Sequence, residues 1–378
     1  HEGIIELPDD APVGENWARW AGLDDPVIDV AITPNRGDCL GVHGIARDLA
    51  AAGVGKLIPL AAEAIKGGFE NPTGVSFDFT NEAADACTLF AGRAIRGLKN
   101  GPSPDWLQRR LLSVGLRPIS ALVDITNFLT LDRARPLHVF DADKIAGDLT
   151  VRLARQGETL LALDGKTYEL DPSMTVISDE SGVLSLGGVI GGETTGCTDE
   201  SVNVFVEAAF FDPVRTAATG RKLNIESDAR YRFERGVDPA STLPGIEAAT
   251  RLILELCGGE ASEVTVTGAV PEVTATIRFE PRRVMALGGV DVAAKESRRI
   301  LEALGFGTQE MNGAIGVRVP TWRSDIEGEA DLVEEVLRVY GYDRIPAVPF
   351  AKVGVLSKPV ETPVPRRRRR AARALAAN

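Results

Sequence analysis

Six carboxylates fall in the twelve residues from Asp325 to Val336: Asp325, Glu327, Glu329, Asp331, Glu334 and Glu335. Helical spacing gathers Leu332, Val333, Val336, Leu337 and Tyr340 on one face. It puts Asp331, Glu334 and Glu335 at i, i+3 and i+4 on the opposite face. Three neighbouring carboxylates repel unless something compensates them. A hard divalent cation such as Mg²⁺, held through one or two carboxylates and several waters, would do so. The plainer alternative is a solvated helix face. Ser324 and Glu327 also have the spacing of a capping box, and acids suit the positive end of a helix dipole. Asp325 and Glu327 therefore have a sufficient local cause.

Other side chains could do chemistry further upstream. Glu207 lies in the apolar run "VNVFVEAAFF". A buried carboxylate is costly unless paired, though strand alternation would equally turn it to solvent. His138, in "RPLHVFD", is either a structural hydrogen-bonding residue or a group facing a substrate. Thr126 and Asn127, in "DITNF", read as a turn cap or as hydrogen-bonding groups of a pocket. "SLGGVIGG" supplies Gly187, Gly188, Gly191 and Gly192. Glycine permits positive φ and close backbone approach, for a ligand or for tight β packing. The spacing is not GxGxxG, so this is no dinucleotide loop. Arg230, Arg232 and Arg235 stand among Asp228, Glu234 and Asp238, a pattern that favours internal ion pairs over RNA contact.

These residues need a scaffold of several units. At 378 residues two or three domains are expected. A hydrophobic share of 44% supports buried cores. No apolar run approaches the roughly 20 residues that span a bilayer, so no membrane association is expected. The four cysteines are scattered, with no CxxC pair, which suits a reducing cytoplasm. Three histidines exclude a His-rich metal site. A net charge of −12 argues against nucleic-acid binding by bulk charge, though not against local contacts. The strongest basic run, Arg366–Arg370, reads as the start of a helix that packs, pairs or touches RNA.

The expected fold class is α+β, multi-domain. A helix follows the Pro34-Asn35 turn and ends at Gly53. Residues 90–270 alternate strands ("TLFAGRAI", "DLTVRLA", "SMTVISD") with helices ("SPDWLQRRLLSVGL", "LPGIEAATRLILELCGG"). A third unit begins near Pro271 and ends with the acidic helix. Pro346, Pro349 and the 359–365 stretch mark a linker.

Four stretches together resemble the beta subunits of bacterial phenylalanyl-tRNA synthetases. They are "ITPNRGDCLGVHGIARDLA" (Ile32–Ala50), "GLRPISALVDITNFLTLDRARPLHVFDADKI" (Gly115–Ile145), "ESDARYRFERGVDP" (Glu226–Pro239) and "VPTWRSDIEGEADLVEEVLRVYGYDRIP" (319–346). They occur in the family's order and cover most of residues 1–347. The resemblance implies the remainder of an N-terminal module over 1–70 and a large mixed editing domain over 71–270. A small winged-helix-like unit over 271–347 and the start of a truncated catalytic-like domain over 348–378 would follow. The chain would begin just after an RNA-binding insert.

The resemblance also implies roles. The editing domain would hydrolyse Tyr attached in error to the Phe tRNA, with Glu207 binding the tyrosine hydroxyl and His138 orienting ester or water. Thr126 and Asn127 would hydrogen-bond the substrate, and Gly187, Gly188 and Gly191 would line the pocket. Asp325, Asp331, Glu334 and Glu335 would hold Mg²⁺ near a partner alpha subunit, within an alpha2beta2 heterotetramer that uses ATP at the alpha subunit and binds tRNA(Phe). The chain departs from the family's usual pattern at Arg133, Ala134 and Arg135, where Gly-Gln commonly precedes Pro-Leu-His. It also departs at Gly187, where Ala is frequent, and at His43, where an apolar residue is usual.

Overall fold

The computed structural model describes residues 6–60, 63–272, 276–349, 354 and 361–377. It is a mixed α+β chain with several sheets. The N-terminal module carries α1 (Trp17–Trp20), a 3-10 turn over Gly37–Leu40 and α2 (Val42–Ala51). Its helix ends as its spacing predicts, with Gly53 at φ +81°.

The large unit runs β1 (Val75–Asp78), β2 (Cys87–Arg96), α3 (Asp105–Ser113), α4 (Ala121–Arg133) and β3 (His138–Asp141). Then come β4 (Leu149–Leu153), a hairpin of β5 (Thr159–Leu161) and β6 (Thr167–Glu169), β7 (Thr175–Asp179), β8 (Gly182–Leu186) and β9 (Ile190–Gly191). It closes with β10 (Asn203–Phe211), α5 (Pro213–Leu223), α6 (Asp228–Phe233), α7 (Thr242–Cys257), β11 (Glu260–Ala261) and β12 (Thr265–Gly268).

Two sheets organise this unit. One has the order β11-β2-β10-β3, with β12 also on β2; the other runs β1-β4-β7-β8-β9. Strand period decides which core each residue joins. From β2 and β10, Ala91, Ile95, Val204, Val206 and Ala208 pack under α3, α4 and α7. The alternate residues Phe90, Ala94, Phe205, Ala209 and Phe211 face Leu149, Val151, Ile177 and Leu184 of the second sheet. β10 is thus covered on both sides, which is why its sequence is nearly all apolar. It has no solvent face for Glu207 to turn to, and Glu207 is buried.

The third unit is a three-stranded antiparallel sheet of β13 (Thr276–Phe279), β15 (Ala314–Arg318) and β14 (Gly307–Met311), in that order. It packs with α8 (Arg282–Gly288), α9 (Ala294–Ala303) and α10 (Glu329–Tyr340) around Phe279, Ile300, Leu301, Val317, Leu332 and Val336. The acidic helix therefore starts at Glu329, and Ser324 is not its cap. Asp331 reaches back instead, accepting from the Gly328 and Glu327 amides at 2.8 and 2.9 Å. The arginine run lies in α11 (Pro363–Ala376), whose first helical turn begins at Pro363. Pro363 and Pro365 belong to that helix and not to a linker; Pro359 and the rest of 355–360 lie outside the described residues. All four cysteines are free.

The N-terminal module is wedged between the other two units, by backbone contact on one side and side chains on the other. A Cβ on Gly41 would stand 2.3 Å from the Ala134 amide nitrogen, and one on Gly37 2.5 Å from the Gly236 carbonyl oxygen. On the far side Ala51 joins the third unit's core, and the Arg47 guanidinium lies 4.2 Å over the Trp322 ring.

Backbone cannot yield to a methyl as a side-chain tip can. Gly41→Ala is expected to destabilise the chain by about 1–3 kcal/mol or more. Gly55→Ala, where nothing lies within 4 Å, should stay within about 0.5 kcal/mol in denaturant titration.

Candidate functional site

Glu207 on β10 and His138 on β3 are direct cross-strand partners. Both project into the space between the two sheets, as Phe205 and Phe140 do two pairs along. Where that apolar core ends, a cavity begins. Glu207, His138, Ser185, Gly188, Val189, Ile190 and Gly191 line it, with Phe211 and Phe233 as an aromatic wall. These two rings meet edge to face at 5.4 Å. The volume open to a water-sized sphere is about 70 Å³, several times the roughly 10–15 Å³ that one water needs.

The polar groups at this cavity are unspent. The Glu207 carboxylate makes no hydrogen bond to any described side chain or amide, although the residue is only 6% exposed. Burial pushes its pKa up to about 7, against the opposing pull of the Arg135 charge. His138 Nε2 is buried without a partner, and burial pushes the imidazole down to about 4. At neutral pH it is therefore an uncharged ring with a free nitrogen. The neutral imidazole is too weak a base at this pKa to take a proton efficiently near pH 7. It can hydrogen-bond and orient.

The glycine loop closes over this pair. A Cβ on Gly191 would lie 2.4 Å from His138 Cε1, so only glycine lets β9 pass across the imidazole. Gly188 has φ +71° and faces the Phe211 and Phe233 rings, and a Cβ on Gly187 would meet Phe211 at 2.6 Å. A hydrogen bond from Ser227 Oγ to the Val189 carbonyl, 2.6 Å, ties the loop to the start of α6. Gly188 and Gly191 line the cavity; Gly187 supports the wall behind it. Thr126 and Asn127 are not a turn. They lie inside α4, where the Thr126 hydroxyl donates to the Val123 carbonyl at 2.8 Å, and neither lines the cavity. Arg230, Arg232 and Arg235 pair internally with Glu234 and Asp228, while Asp238 caps the Ala240 amide.

The four carboxylates of the acidic stretch are not gathered around one point. Asp325 accepts two hydrogen bonds from Arg323, at 2.8 and 2.9 Å, and one from Asn35 at 3.2 Å. Glu335 is 3% exposed and accepts from Arg323 at 2.5 Å and from Arg338 at 2.7 and 3.1 Å. Burial opposes its charge, but these two guanidiniums outweigh it and hold the carboxyl down to about 2. Asp331 caps α10, and Glu334 is exposed. Among the described residues no three His, Cys, Asp or Glu side chains stand grouped to hold a metal. Arginine compensates the acids here, and as placed they do not fit an Mg²⁺ held by this chain alone. The expected opposite faces fail for Glu335, which turns inward to Arg323.

Some functional neighbours were not legible as such. Arg323 and Arg338 supply the countercharge; the Glu335–Arg338 spacing of i, i+3 was the available signal. Arg135, Phe211 and Phe233 reach the site only through tertiary packing.

The B3/4 domain family matches residues 86–258, and the tRNA synthetase B5 domain family matches residues 277–342. The chain is 54% identical over 376 residues to the phenylalanine–tRNA ligase beta subunit of Bradyrhizobium diazoefficiens, and 55% identical over 378 to that of Nitrobacter winogradskyi. Each match covers 100% of this chain and 46% of the relative. The chain thus spans about half the length of the curated relatives it matches. A solved N-terminal fragment of the phenylalanyl-tRNA synthetase beta subunit from Pyrococcus horikoshii is more distant. It shares 19% identity at a TM-score of 0.41, over 82% of this chain and 86% of that one.

Two stability measurements test this account. Glu207 binds its proton more tightly folded than unfolded, so its burial costs stability progressively as pH rises from about 4.5 to about 7. Glu207→Gln should therefore gain thermal stability relative to wild type as pH rises from about 5 to about 8, by up to about 3 kcal/mol. Glu335→Ala should lose about 1.5–3 kcal/mol, because it removes charge-assisted hydrogen bonds from buried Arg323, which keeps only Asp325, and from Arg338. Glu334→Ala should be near neutral in the same denaturation assay.

Proposed function

The chain belongs to the family of phenylalanine–tRNA ligase beta subunits, and on that premise we infer that its large unit edits, hydrolysing tyrosine esterified in error to tRNA(Phe). We read that unit, residues 71–270, as the editing domain. The small unit, 271–347, is read as winged-helix-like, 1–70 as the remainder of an N-terminal module, and 348–378 as the start of a catalytic-like domain. One observation carries the reading: Glu207 and His138, adjacent across two strands, line one apolar cavity, where among the described residues the Glu207 carboxylate has no hydrogen-bond donor and His138 Nε2 has no partner.

The chemistry follows from the side chains. An apolar pocket shaped for Phe rejects an analogue with one added hydroxyl only modestly, so a second site must recognise that hydroxyl. Phe211, Phe233, Val189 and Ile190 offer a ring its apolar surface. A Glu207 carboxylate accepts the phenol's hydrogen bond. His138, uncharged, orients the ester or the attacking water. Water adds to the ester carbonyl and the carbon–oxygen bond to the ribose breaks. The water's proton ends on the ribose oxygen, leaving free tyrosine and an unloaded tRNA. Thr126 and Asn127 would join only if the substrate extends beyond the cavity along α4.

The whole enzyme's reaction, joining Phe to its tRNA with ATP and Mg²⁺, is assigned to an alpha2beta2 assembly with ATP at the alpha subunit. Asp325, Asp331, Glu334 and Glu335 would take part in Mg²⁺ binding only with the partner's help and with Arg323 and Arg338 displaced. No described helix is long and apolar enough to cross a membrane.

Hydrolysis of Tyr-tRNA(Phe) by the enzyme assembled with its alpha subunit tests the assignment. Glu207→Ala is expected to lower the preference for tyrosyl over phenylalanyl esters on the order of 100-fold. Gly191→Ala should slow both esters by pressing a methyl onto His138. Unchanged rates in both variants would sink the editing role. A wild-type beta subunit that binds its partner but leaves the ester intact would make the chain a scaffold.

A further inference from the structure

Arg135 is 1% exposed and among the largest fully buried side chains. Its guanidinium donates to the carbonyls of Pro136 at 3.3 Å, Asp238 at 3.4 Å and Ala209, and to the hydroxyls of Ser241 at 3.4 Å and Thr242 at 3.2 Å. It lies 5.6 Å from the centre of the Phe233 ring. Every one of these partners is neutral. Among the described residues no carboxylate is in ion-pair contact with Arg135, so a full positive charge is buried without a touching counterion. An isolated buried charge is costly.

Glu207 has the opposite need. Its carboxyl is buried and, among the described residues, touches no cation. The two meet along β10: Arg135 binds the carbonyl of Ala209, two residues beyond Glu207, near enough for each charge to bear on the other without contact. At that range in a protein interior, opposite charges attract strongly enough to shift each other's ionisation. The other ionisable groups around Glu207 do not substitute. Cys87, on β2, is a thiol pushed up by burial and is neutral. His138, on β3, is uncharged at neutral pH. Asp238, ahead of α7, uses its carboxylate on the Ala240 amide.

We propose that Arg135 is a positioning residue of the site: its buried guanidinium, anchored to β10 through Ala209, keeps Glu207 an ionised acceptor for the phenolic hydroxyl. The substrate part of this inference rests on the editing reading; the electrostatic part does not. A carboxylate accepts a phenol's hydrogen bond, whereas a protonated acid competes as a donor. Without Arg135, Glu207 would be protonated through the neutral range and the cavity would lose its preference for a hydroxylated ring.

Infrared titration of the Glu207 carboxyl, with Glu207→Gln as the reference, reads the ionisation without any need for activity. The wild-type midpoint is expected near 7. Arg135→Gln should raise it by about one unit or more. Correspondingly, kcat/KM for Tyr-tRNA hydrolysis at pH 7 should fall about 5-fold or more and recover at higher pH. Arg135→Lys, which keeps the charge, should leave the midpoint in place. Arg135→Met is the neutral variant to use if Arg135→Gln does not fold. A midpoint unmoved in the neutral variant overturns the proposal, whatever happens to the rate. So does a lysine variant that shifts as far as the neutral one. A wild type that titrates as expected but does not deacylate would instead count against editing alone.

Discussion

The seating of the N-terminal module on the third unit depends on one chain of ion pairs. It runs Arg47–Asp38–Arg36–Asp48–Arg338–Glu335–Arg323–Asp325, with each inner member bonded to two partners. Four arginines meet four acids, so the net charge is zero. Its links within each unit are shielded, with side-chain exposure of 2% at Asp38, 2% at Arg323 and 4% at Glu335, while the link between units, Arg338 to Asp48, is partly exposed. A buried network of this sort is stable when complete and costly when half-made. The N-terminal module and the third unit can therefore dock in one register only. The large unit is held to the same module by its own arginine, as Arg232 donates to the Leu40 carbonyl at 3.1 Å.

That rigidity bears on the candidate site. Gly41 and Gly37 seat the module against Ala134 and Gly236, which flank Arg135 and Phe233 in sequence. The wall behind the cavity is thus fixed from outside the large unit. Within that unit, the two-sheet core positions Glu207 and His138 by register alone: residue 207 must oppose residue 138, and strand period aims both inward. A one-residue slip of β10 would turn Glu207 under the helices and away from His138.

Much of this was legible in the sequence. The apolar run around Glu207 marked a strand, the run after Pro34-Asn35 a helix, and the glycines of "SLGGVIGG" a close approach. What was not legible depended on partners distant in sequence. Whether Glu207 faced solvent or core could not be read from β10, because that depends on β4, β7 and β8 covering it. Thr126 and Asn127 read as a turn because their polarity outweighed the helical spacing of Leu122, Ile125 and Leu129. The acidic run suggested a metal because half of the countercharge of Glu335 was out of view: Arg338 lies one turn on, but Arg323 lies twelve residues before it and is brought there by folding.

Two buried glutamates in this chain show what decides the difference between holding a fold and serving a site. Glu335 receives hydrogen bonds from two guanidiniums and is held to about 2. It is ionised at any ordinary pH and has no capacity left for a ligand. Glu207 is also buried but has no touching cation among the described residues, and it is pushed to about 7. Its fold tolerates that cost because the surrounding core is apolar on both faces of β10. A group left at this balance responds to what enters the cavity: a hydroxyl donor favours its charged form, and a bare aromatic ring does not. The countercharge set back at Arg135 makes this possible, since a guanidinium in direct contact would occupy the oxygens that a substrate needs.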